Sequence, residues 1–437
     1  MARSDRLILF GRYPLPGRTK TRLIPLLGAA RAAELQRHLT EKTLTADRSL
    51  ARRRALDLEA CVEGGSPAQW RRWLGPGLFF TEQGRGDLGE RMKAAFHEAF
   101  QKGARQVVLH GTDIPGLTPE HLETAFSALR RSDLVLGPST DGGYWLIGLR
   151  KPADLFDGME WGSSSVLDRT LAAARGQGLS VQVLSPLTDM DTAEALRQYM
   201  PEWTVPQPYV SVIIPTLNEE GQVGETIRRA TSPDAEIIVV DGGSEDRTVD
   251  RAEQAGAKVL KGPRGRAKQQ NRGAEAAKAG VLLFLHADTI LPQEYVAQMF
   301  ETMMDRRVVL GAFCFKTDLR TPLMRAVELL TNLRARYLKL PYGDQALFIR
   351  RAHFQALGGF PDLAIGEDLF FVRRALKWGL LDIAPAPVIT SGRRWERVGP
   401  LRTTLVNQLM LAGFALRISP ESLAALYHRA ANKKRRV

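Results

Sequence analysis

The sequence predicts two α/β domains in tandem, each built around a mostly parallel sheet. Short apolar segments typical of strands alternate along the whole chain with longer segments of helical periodicity. A proline-rich stretch at 201–208, PEWTVPQP, interrupts this alternation because proline disfavours both helix and sheet. Both halves then follow one order: a strand and loop, a helix, and a later strand that ends in a carboxylate. We therefore expect domains at 1–204 and 209–437.

The predicted strands are the short apolar segments that turn residues separate from helical runs. In the first half they are Leu7–Phe10, Leu56–Cys61, Val107–His110, Leu134–Leu136 and Val181–Leu184, with helices at Ala29–Ser49 and Leu88–Lys102. In the second half they are Val210–Ile214, Glu236–Val240, Val281–His286, Val308–Phe315 and Ala346–Ile349, with a helical run at Leu369–Trp378. Ligands bind outside the carboxyl ends of strands in open α/β sheets, so the residues that follow these strands are the functional candidates.

Composition and charge limit the partners and the cellular compartment that we expect for this protein. The 437 residues carry a formal net charge of +13, which suits a solvated basic surface, an anionic ligand or an anionic membrane surface. The sequence contains no helix-turn-helix, zinc-finger or RNA-binding motif, so we expect no nucleic-acid partner. The two cysteines, Cys61 and Cys314, fit a reducing compartment, and neither a signal peptide nor a membrane span is expected. These features predict a cytoplasmic protein.

The loop after the first strand is dense in glycine and cationic side chains, which follow one another as Gly11, Arg12, Gly17, Arg18, Lys20 and Arg22. A fixed backbone with several cations suits a diphosphate or triphosphate. The order of residues is not that of a P-loop. The alternative is a rigid surface turn with solvated charges.

Three acidic motifs follow in the first half. Asp113 comes directly after the strand at 107–110, where a carboxylate can meet a bound ligand. Asp141, Gly142 and Gly143 form either a tight turn or a backbone clasp on a ligand. Asp191, in DMDTAE, either begins a capped helix or supplies a second carboxylate to a metal.

Two motifs open the second half. The segment PTLNEE follows its first strand and contains Pro215, Asn218 and Glu219. The segment DGGSED follows the next strand, so Asp241 and Gly242 lie at a carboxyl end where a ligand can approach the backbone closely. A structural strand-to-helix turn is the alternative for both segments.

Two further motifs carry acid–base and metal chemistry. The strand that ends in LFLHADT delivers His286 and Asp288, and a carboxylate there can hold Mg²⁺ or Mn²⁺ against a diphosphate. The alternative is that Asp288 caps the next helix. Glu367 and Asp368 begin a helical run, where they either serve the helix dipole or provide a general base for a hydroxyl group.

Taken together, the motifs of 209–437 resemble the family 2 glycosyltransferases of the GT-A fold, and within them a subgroup named for arsenosugar biosynthesis. The shared segments are PTLNE at 215–219, DGGS at 241–244, GRAKQQN at 265–271, LFLHADT at 283–289, PYGDQ at 341–345, GGF at 358–360, ED at 367–368 and TSGRRW at 390–395. The resemblance implies an inverting, hexosyltransferase-like enzyme that moves a sugar from a nucleoside-diphosphate donor to an acceptor hydroxyl.

The resemblance also implies a role for each matching residue. Asp241 is expected to contact the nucleotide base, and Asp288 to ligate a metal on the donor diphosphate. His286 stands where most relatives have the first acid of a DxD motif, and it is expected to join Asp288 at the metal. Asp368 is the expected base, with Glu367 beside it. The remaining expected donor-binding residues are Pro215, Asn218, Glu219, Gly242, Arg266, Asn271, Arg393, Arg394 and Trp395.

The first half is similar to the DUF2064 group of GT-A-like proteins, which are related to nucleotidyltransferases such as the phospholactate guanylyltransferases. The shared segments are PLPGRTKTRL at 14–23, GTDIP at 111–115, DGGYWLIGL at 141–149 and DMDTAE at 189–194. The resemblance implies that Asp113 and Asp191 hold a catalytic Mg²⁺ or Mn²⁺ and that the loop at 11–22 holds phosphates. Lys20 is expected to be a catalytic group, and both Lys20 and Arg22 are expected to neutralise the negative charge of the phosphates. Where the last motif of this group usually ends in DTPEDL, this sequence has DTAEAL.

The expected fold is therefore two tandem GT-A-like nucleotide-diphospho-sugar transferase domains. The expected ligands are a nucleoside triphosphate, a nucleoside-diphosphate sugar or both, with an acceptor and an oligomeric state that the motifs do not specify. The first domain is expected to be a nucleotidyltransferase that supplies the activated donor, a second glycosyltransferase or a non-catalytic nucleotide-binding module.

The apolar segment Leu401–Ile418 has Arg402 and Arg417 near its ends, and the basic tail Asn432–Val437 follows it. This segment is expected either to be a helix that covers the core or to seat the protein peripherally on anionic lipid at the inner face of a membrane.

Overall fold

The computed structural model describes residues 4–416 and 418–432. The chain divides into two compact units, Met1–Pro206 and Gln207–Val437, and the division falls within the proline-rich stretch at 201–208. In the described ranges, no helix combines the length and the apolar character needed to cross a membrane.

In the described part of the first unit, seven strands form one sheet. They are Asp5–Arg12 (β1), Leu56–Glu63 (β2), Phe79–Glu82 (β3), Val107–His110 (β4), Leu134–Pro138 (β5), Tyr144–Leu149 (β6) and Val181–Val183 (β7). Their order across the sheet is β3-β2-β1-β4-β6-β5-β7. Strand β6 runs antiparallel to both neighbours, whereas the other neighbouring pairs are parallel.

Helices cover both faces of this sheet. They are Ile24–Leu27 (α1), Ala29–Arg53 (α2), Pro67–Leu74 (α3), Leu88–Gln101 (α4), Pro119–Ala128 (α5), Val166–Gly176 (α6) and Ala193–Tyr199 (α7), with 3-10 turns at Thr21–Leu23 and Pro201–Thr204. Successive side chains of a strand point to opposite faces. Ile8 of β1 therefore packs in a cluster with Phe96 of α4, and Leu7 packs in a second cluster with Phe126 of α5.

The second unit repeats this order of strands with one more strand at the edge. Its described strands are Val210–Thr216 (β8), Ala235–Asp241 (β9), Lys258–Lys261 (β10), Val281–Phe284 (β11), Thr289–Ile290 (β12), Val308–Thr317 (β13), Phe348–Arg350 (β14) and Leu380–Thr390 (β15). Their order is β10-β9-β8-β11-β14-β13-β15-β12. Strand β14 is antiparallel to both neighbours, as β6 is in the first unit, and β12 is antiparallel to β15.

The helices of the second unit pack closely on this sheet. They are Val223–Ala230 (α8), Thr248–Gln254 (α9), Arg266–Ala276 (α10), Tyr295–Thr302 (α11), Pro322–Tyr337 (α12), Arg351–Ala356 (α13), Glu367–Ala375 (α14), Arg393–Val398 (α15), Pro400–Ala415 (α16) and Pro420–Asn432 (α17), with a 3-10 turn at Gly343–Gln345. Gly273 of α10 allows a close approach, because a Cβ atom there would lie 2.4 Å from Ile213 Cγ2 of β8. Helix α10 thus lies directly on the strand that leads into the PTLNEE loop.

The predicted strands are all present, and the structure corrects several boundaries. The strand predicted at Val281–His286 ends at Phe284. His286 begins a turn, because its carbonyl accepts from the amide of Thr289. Strands β3, β6, β10, β12 and β15 were not predicted from the apolar pattern. The boundary stretch, where proline was expected to exclude helix, contains the short 3-10 turn at Pro201–Thr204. Both units are mixed, mostly parallel α/β sheets, as the sequence predicted.

Candidate active sites

The first candidate site lies where β1 and β4 end at their carboxyl edges. A cavity of about 440 Å³ opens there, with Gly11, Arg12, Lys20, Arg22, Glu63, Arg91, Asp113 and Asp191 in its lining. Lys20 is central: its Nζ donates to Asp113 Oδ2 at 2.9 Å and to Asp191 Oδ1 at 2.6 Å. The Lys20 side chain is 3% exposed, and the side chains of Asp113 and Asp191 are 30% and 41% exposed, so the two predicted metal carboxylates meet one buried cation at a partly open site.

The loop geometry explains how Lys20 enters this cluster. The amide of Leu15 donates to Thr19 Oγ1 at 3.0 Å, and the amide of Arg18 donates to the carbonyl of Leu15 at 3.0 Å. Lys20 then has φ 49°, a left-handed conformation that non-glycine residues seldom adopt. The chain turns at this residue into the 3-10 turn at Thr21–Leu23. Such local strain is typical of residues that the surrounding structure holds in a functional position.

Electrostatics in the cluster favour the ionised forms. Burial lowers the pKa of Lys20, but the charges and hydrogen bonds of Asp113 and Asp191 outweigh burial and raise that pKa above its ordinary value. Burial raises the pKa of Asp113, but the Lys20 ammonium outweighs it and lowers that pKa. The amide of Met190 donates to the carbonyl of Asp113 at 3.0 Å, which joins the DMDTAE loop to the end of β4.

A second, smaller cavity adjoins the first. It has a volume of about 230 Å³ and shares four lining residues with its neighbour: Phe10, Leu88, Gly111 and Asp113. Its acidic members are Asp113, Asp141 and Asp189. Burial, followed by the charges of Asp141, Asp191 and Asp113, raises the pKa of Asp189 to about 6. The Asp141 carboxylate accepts from the amide of Gly143 at 3.0 Å, so this motif forms the tight turn and also lines a cavity.

Not every predicted residue of the first unit faces these cavities. In the described residues, Gly17, Arg18 and Gly142 are absent from both linings. Gly142 has φ 93°, and a Cβ atom there would lie 2.2 Å from the carbonyl oxygen of Ser164, so its role is close backbone packing. Sequence reasoning missed Arg91 of α4 and Trp161, because neither belongs to a segment that follows a predicted strand. Arg91 Nη1 lies 3.0 Å from both Glu63 Oε2 and Gln83 Oε1.

The second candidate site is a cavity of about 770 Å³ at the carboxyl ends of β8, β11 and β15. Its lining contains most of the site residues that the motifs of the second unit predicted. Predicted residues in its lining are Pro215, Glu219, Arg266, His286, Asp288, Glu367, Asp368 and Trp395. Residues that were not predicted include Arg264, Gln269, Tyr342, Asp344, Ser391, Met410 and Phe414.

His286 and Asp288 reach this cavity through the pairing of β12 with β15. The amide of Ser391 donates to the carbonyl of Asp288 at 3.0 Å. Arg393 Nη2 lies 3.0 Å from Glu219 Oε2 and 3.5 Å from Asp288 Oδ2. Burial, with the charge of Arg266, lowers the pKa of His286 to about 3, so its imidazole is neutral near pH 7. Its Nε2 is buried and has no hydrogen-bond partner among the described residues.

The predicted base is held rigidly at the start of α14. Asp368 Oδ2 accepts from the amide of Gly343 at 2.7 Å, and Asp368 Oδ1 accepts from the amide of Leu369 at 2.7 Å. The neighbouring Glu367 is 5% exposed, and burial and the charge of Asp368 raise its pKa. Asp344 also lines the cavity, and burial raises its pKa to about 6. Asp368 is therefore the carboxylate of this pair whose oxygens are held in a fixed orientation from which they can accept a proton.

Some predicted donor-binding residues do not appear in the described lining of this cavity. Asp241 is 4% exposed, and its Oδ2 accepts from the amides of Gly243 and Ser244 at 2.9 and 3.0 Å. Asn271 exchanges both of its amide hydrogen bonds with the backbone of Phe360, each at 2.9 Å. These two side chains hold loops together and do not appear in the described cavity lining, and the expectation that both face the donor stays a prediction. The contact between Asp241 and a nucleotide base stays a prediction.

Asn218 and Gly242 also connect loops and do not appear in the described cavity wall. Asn218 Oδ1 accepts from the amide of Glu245 at 2.9 Å, and the amide of Gly242 donates to the carbonyl of Thr216 at 2.9 Å. The missed residue Gln269 completes this connection, because its Nε2 donates to the carbonyls of Thr216 and Val240 at 2.8 and 2.7 Å. The sequence signal that could have identified Gln269 is its position in the GRAKQQN motif, about one helical turn after the start of that motif.

The segment predicted to cover the core or to contact lipid forms helix α16. Met410 and Phe414 of this helix line the cavity, whereas Leu405 and Leu409 are exposed. The helix therefore covers the site with one face. The side chain of Arg394, the whole of Arg417 and residues 433–437 lie outside the described part of the chain.

The two predicted metal sites differ in the donor groups that they offer. Among the described residues, no group of three or more His, Cys, Asp or Glu side chains is arranged to hold a metal ion. In the first unit, however, the carboxylates of Asp113 and Asp191 converge on one cation, the ammonium of Lys20. In the second unit, Asp288 offers a carboxylate and His286 an imidazole nitrogen without a partner in the described ranges. Carboxylate oxygens fit Mg²⁺ or Mn²⁺ in charge and donor type, whereas the imidazole of His286 is a donor more typical of transition metals and suits Mn²⁺ better than Mg²⁺.

Comparison with known proteins agrees with this division of the chain. Residues 45–163 match the family DUF2064, described as an uncharacterized protein conserved in bacteria, and residues 211–357 match glycosyl transferase family 2. A phosphoenolpyruvate guanylyltransferase of Chloroflexus aggregans is 34% identical over 121 residues, which are 26% of this chain and 58% of that relative. The chain thus spans less than two thirds of the length of this curated relative.

Solved structures of similar proteins include a Desulfovibrio desulfuricans G20 protein described as a nucleotide-diphospho-sugar transferase. It is 38% identical, covers 46% of this chain and 88% of its own, and has a TM-score of 0.42. A mannosyltransferase of Pyrobaculum calidifontis, solved with GDP-Man and Mn²⁺, is 21% identical, covers 52% of this chain and 70% of its own, and has a TM-score of 0.38.

The fold and the family matches support a two-domain enzyme of nucleotide-sugar chemistry. Its first unit carries a DUF2064 domain, and its second unit carries a family 2 glycosyltransferase domain.

Proposed function

We propose that the second unit is an inverting glycosyltransferase that transfers a sugar from a nucleoside-diphosphate donor to an acceptor hydroxyl. One observation carries the proposal: a single cavity of about 770 Å³ contains the carboxylate of Asp368, the pair His286 and Asp288, and the cation Arg266. Asp368 can accept a proton from the acceptor hydroxyl. The other three groups can bind the diphosphate that leaves in the same displacement reaction. The family match at 211–357 supports the same reaction class.

The chemistry follows from the fixed orientation of Asp368. Two backbone amides hold its oxygens, so a lone pair is available to take the proton of the acceptor hydroxyl. The acceptor oxygen forms a bond to the anomeric carbon as the bond to the diphosphate breaks. Arg266 and Arg393 oppose the charge that builds on the leaving group, as preorganised cations do. His286 and Asp288 are the candidate ligands for Mg²⁺ or Mn²⁺, which would supply further positive charge to the diphosphate.

The test is nucleoside-diphosphate release from a panel of nucleoside-diphosphate sugars with Mg²⁺ or Mn²⁺. We expect Asp368→Asn to lower kcat about 100-fold or more, because one positioned proton acceptor contributes about 10²–10⁴-fold. Asp288→Asn is expected to lower release in a way that higher metal concentration partly restores. Glu253→Gln, an exposed change on α9, is the matched control. Wild-type turnover in both active-site variants would remove Asp368 and Asp288 from the mechanism.

We propose further that the first unit is a metal-dependent nucleotidyltransferase that supplies the activated donor. In this reaction a phosphate oxygen of the second substrate attacks the α-phosphorus of a nucleoside triphosphate, and pyrophosphate leaves. The supporting observation is the cavity of about 440 Å³ whose lining contains Arg12, Arg22 and Arg91 together with the ion-paired Lys20. The similarity to a guanylyltransferase supports this choice over a second glycosyltransferase or a non-catalytic nucleotide-binding module.

Pyrophosphate release from nucleoside triphosphates and sugar 1-phosphates tests this second proposal. Asp113→Asn is expected to abolish pyrophosphate release and to leave nucleoside-diphosphate release by the second unit unchanged. Asp168→Asn, an exposed change on α6, is the control. Nucleoside-diphosphate release that depends on Asp113 would instead indicate a second glycosyltransferase, and nucleotide binding without turnover would indicate a binding module.

A surface of the second unit supports a peripheral membrane role, which we propose as well. Helix α12 exposes apolar side chains over much of its length, including Leu330 at 62% and Tyr337 at 77%. Helix α16, which packs on α12, exposes Leu405 and Leu409. Exposed cations lie beside this face at Arg325, Arg336 and Lys339. An apolar helix face with basic flanks fits the surface of an anionic bilayer, where lysine and arginine meet lipid phosphates.

Sedimentation with vesicles tests this surface. We expect the full chain to bind phosphatidylglycerol vesicles at low salt, to bind phosphatidylcholine vesicles weakly, and to lose binding in Leu330→Glu with Tyr337→Glu. Val183→Glu, at an exposed position of β7 in the first unit, is the control. A chain that ignores anionic vesicles at low salt, or a double variant that binds them as the wild type does, would contradict the proposal.

A further inference from the structure

One buried face of helix α2 is polar. Gln36, Thr40, Thr43 and Asp47 follow one another at intervals of four, three and four residues, which places their side chains on one side of the helix. All four are buried, and none is more than 5% exposed. Burial of amide, hydroxyl and carboxylate groups opposes folding unless they find polar partners, so this polar face of α2 is stable only through the groups that it meets.

The polar face of α2 meets the residues that lead to Asp113. Gln36 Nε2 donates to Thr112 Oγ1 at 2.8 Å, and Thr43 Oγ1 donates to the carbonyl of Thr112 at 3.4 Å. Thr40 fixes the orientation of the Gln36 amide. Its hydroxyl donates to the Gln36 carbonyl at 2.9 Å, so its oxygen accepts from Gln36 Nε2 at 3.2 Å. Helix α2 therefore holds both the side chain and the main chain of the residue that precedes Asp113.

Asp47 continues the same face toward the end of β4. Its Oδ1 lies 3.1 Å from His110 Nε2, and neither side chain is more than 1% exposed. His110 Nδ1 donates to the carbonyl of Gly111 at 2.9 Å, because a carbonyl oxygen can only accept. Burial lowers the pKa of His110, but the charge of Asp47 outweighs burial and raises that pKa above its ordinary value. The residues at 110–112 thus all connect to α2, either directly or through His110.

These contacts extend to the wall of the cavity of about 440 Å³. Gln36, Thr112 and Asp113 all belong to its lining. Gly11, the first glycine of the basic loop, packs against Thr112, because a Cβ atom at Gly11 would lie 2.8 Å from Thr112 Cγ2. Thr112 therefore lies between that loop and α2, and the carboxylate of the next residue, Asp113, reaches to 2.9 Å from Lys20 Nζ.

We propose that Gln36 and Thr112 are positioning residues for the predicted metal ligand Asp113, and that the polar face of α2 sets the direction of its carboxylate. A buried network with satisfied hydrogen bonds favours one arrangement of the loop, whereas an apolar face would hold it less specifically. Removal of a group that orients a metal ligand typically costs about 10–100-fold in metal affinity. The inference rests on the proposed metal-dependent nucleotidyltransferase function and adds residues that act through Asp113.

Mn²⁺ binding tests this role, with electron paramagnetic resonance as the measure of free Mn²⁺. The parent is the full chain with Asp288→Asn, so that the candidate metal site of the second unit does not contribute. We expect Gln36→Met and Thr112→Val to weaken Mn²⁺ binding about 10-fold or more. Thr112→Ser keeps the hydroxyl group and should bind Mn²⁺ as the parent does. Gln106→Met is the matched control, because Gln106 is 5% exposed and immediately precedes β4, at the opposite end of this strand from the site.

The variants distinguish positioning from general packing. Binding like that of the parent in Gln36→Met and Thr112→Val would overturn the inference. Equal weakening in the control Gln106→Met would also overturn it, because the loss would then follow from disturbed packing around β4. Weakening in Thr112→Ser would assign the effect to the lost methyl group and would likewise overturn the role of the hydroxyl.

A second measurement separates this inference from the function on which it rests. If the parent binds no Mn²⁺, the metal assignment of the proposed function fails, and thermal unfolding of double variants then decides the positioning role. If Gln36 directs Asp113 toward Lys20, then Gln36→Met and Lys20→Met remove overlapping interactions. Their double variant should then lose less melting temperature than the two single variants together, whereas Gln106→Met with Lys20→Met should be additive. Additive losses in both pairs would overturn the inference.

Discussion

Replacing Lys20 with methionine tests the charge arrangement at the first site. Methionine keeps a side chain of similar length but removes the ammonium that lies 2.9 Å from Asp113 Oδ2 and 2.6 Å from Asp191 Oδ1. Removing one partner of a fully buried ion pair costs about 3–5 kcal/mol. Here the two carboxylate side chains are 30% and 41% exposed, so water screens the charges that remain. We therefore expect the free energy of unfolding of the first unit to fall by about 2 kcal/mol.

Thermal unfolding of the full chain measures this loss. A change of 1 kcal/mol shifts the melting temperature of a domain of this size by about 2–4 °C, so the transition of the first unit should fall by about 4–8 °C. Mn²⁺ should stabilise the variant more than the wild type, because in the variant no ammonium competes for the two carboxylates. Lys102→Met is the control, since Lys102 pairs with Glu98 on the surface, where such pairs contribute little.

The difference in stability between the wild type and Lys20→Met depends on pH in a direction that the two pKa shifts determine. The pKa of Asp113 is lowered in the folded chain, so its contribution is complete above its ordinary value of 3.8 and is lost as pH falls through the folded value. The pKa of Lys20 is raised, so its contribution is complete below 10.5 and is lost as pH rises through the folded value. The difference between wild type and variant should therefore be largest near neutral pH. Equal melting temperatures at pH 7, with no difference in the response to Mn²⁺, would refute the reasoning.

Three further changes test other parts of the structure. Gly343→Ala would place a Cβ atom 3.1 Å from His286 Nε2 and 3.3 Å from Asp368 Oδ2, so we expect nucleoside-diphosphate release to fall at least tenfold with little change in melting temperature. Gln269→Ala removes the side-chain amide that donates to the buried carbonyls of Thr216 and Val240, and the loss of these two hydrogen bonds should lower the free energy of unfolding by about 1–3 kcal/mol in denaturant titrations; an unchanged midpoint would contradict this. Asp189→Asn should stabilise the first unit above pH 6 by roughly 1 kcal/mol, because the folded pKa of about 6 exceeds the ordinary 3.8 and ionisation opposes folding; thermal unfolding at pH 5 and pH 8 measures the difference.

The sequence determined the architecture because hydrophobic periodicity and strand-end chemistry are local properties. The runs at 107–110 and 281–284 are apolar and short, and each is followed within a few residues by an aspartate, Asp113 or Asp288. Strands of a parallel sheet place their carboxyl ends along one edge, so these aspartates could be assigned to ligand sites before the tertiary structure was known. Strands such as β10 and β12 could not be predicted, since they are short and pair only at the sheet edges.

Only the tertiary structure decided which candidate side chains meet. Lys20 is 93 residues from Asp113 and 171 residues from Asp191 along the chain, and nothing in the local sequence shows that its ammonium bridges them. Asp241 and Asn271 belong to motifs of the same specificity, yet Asp241 accepts from the amides of its own loop and Asn271 bonds to the backbone of Phe360, 89 residues away. A buried polar side chain takes whichever partners the packed backbone brings within reach, and those partners depend on contacts that are distant in sequence.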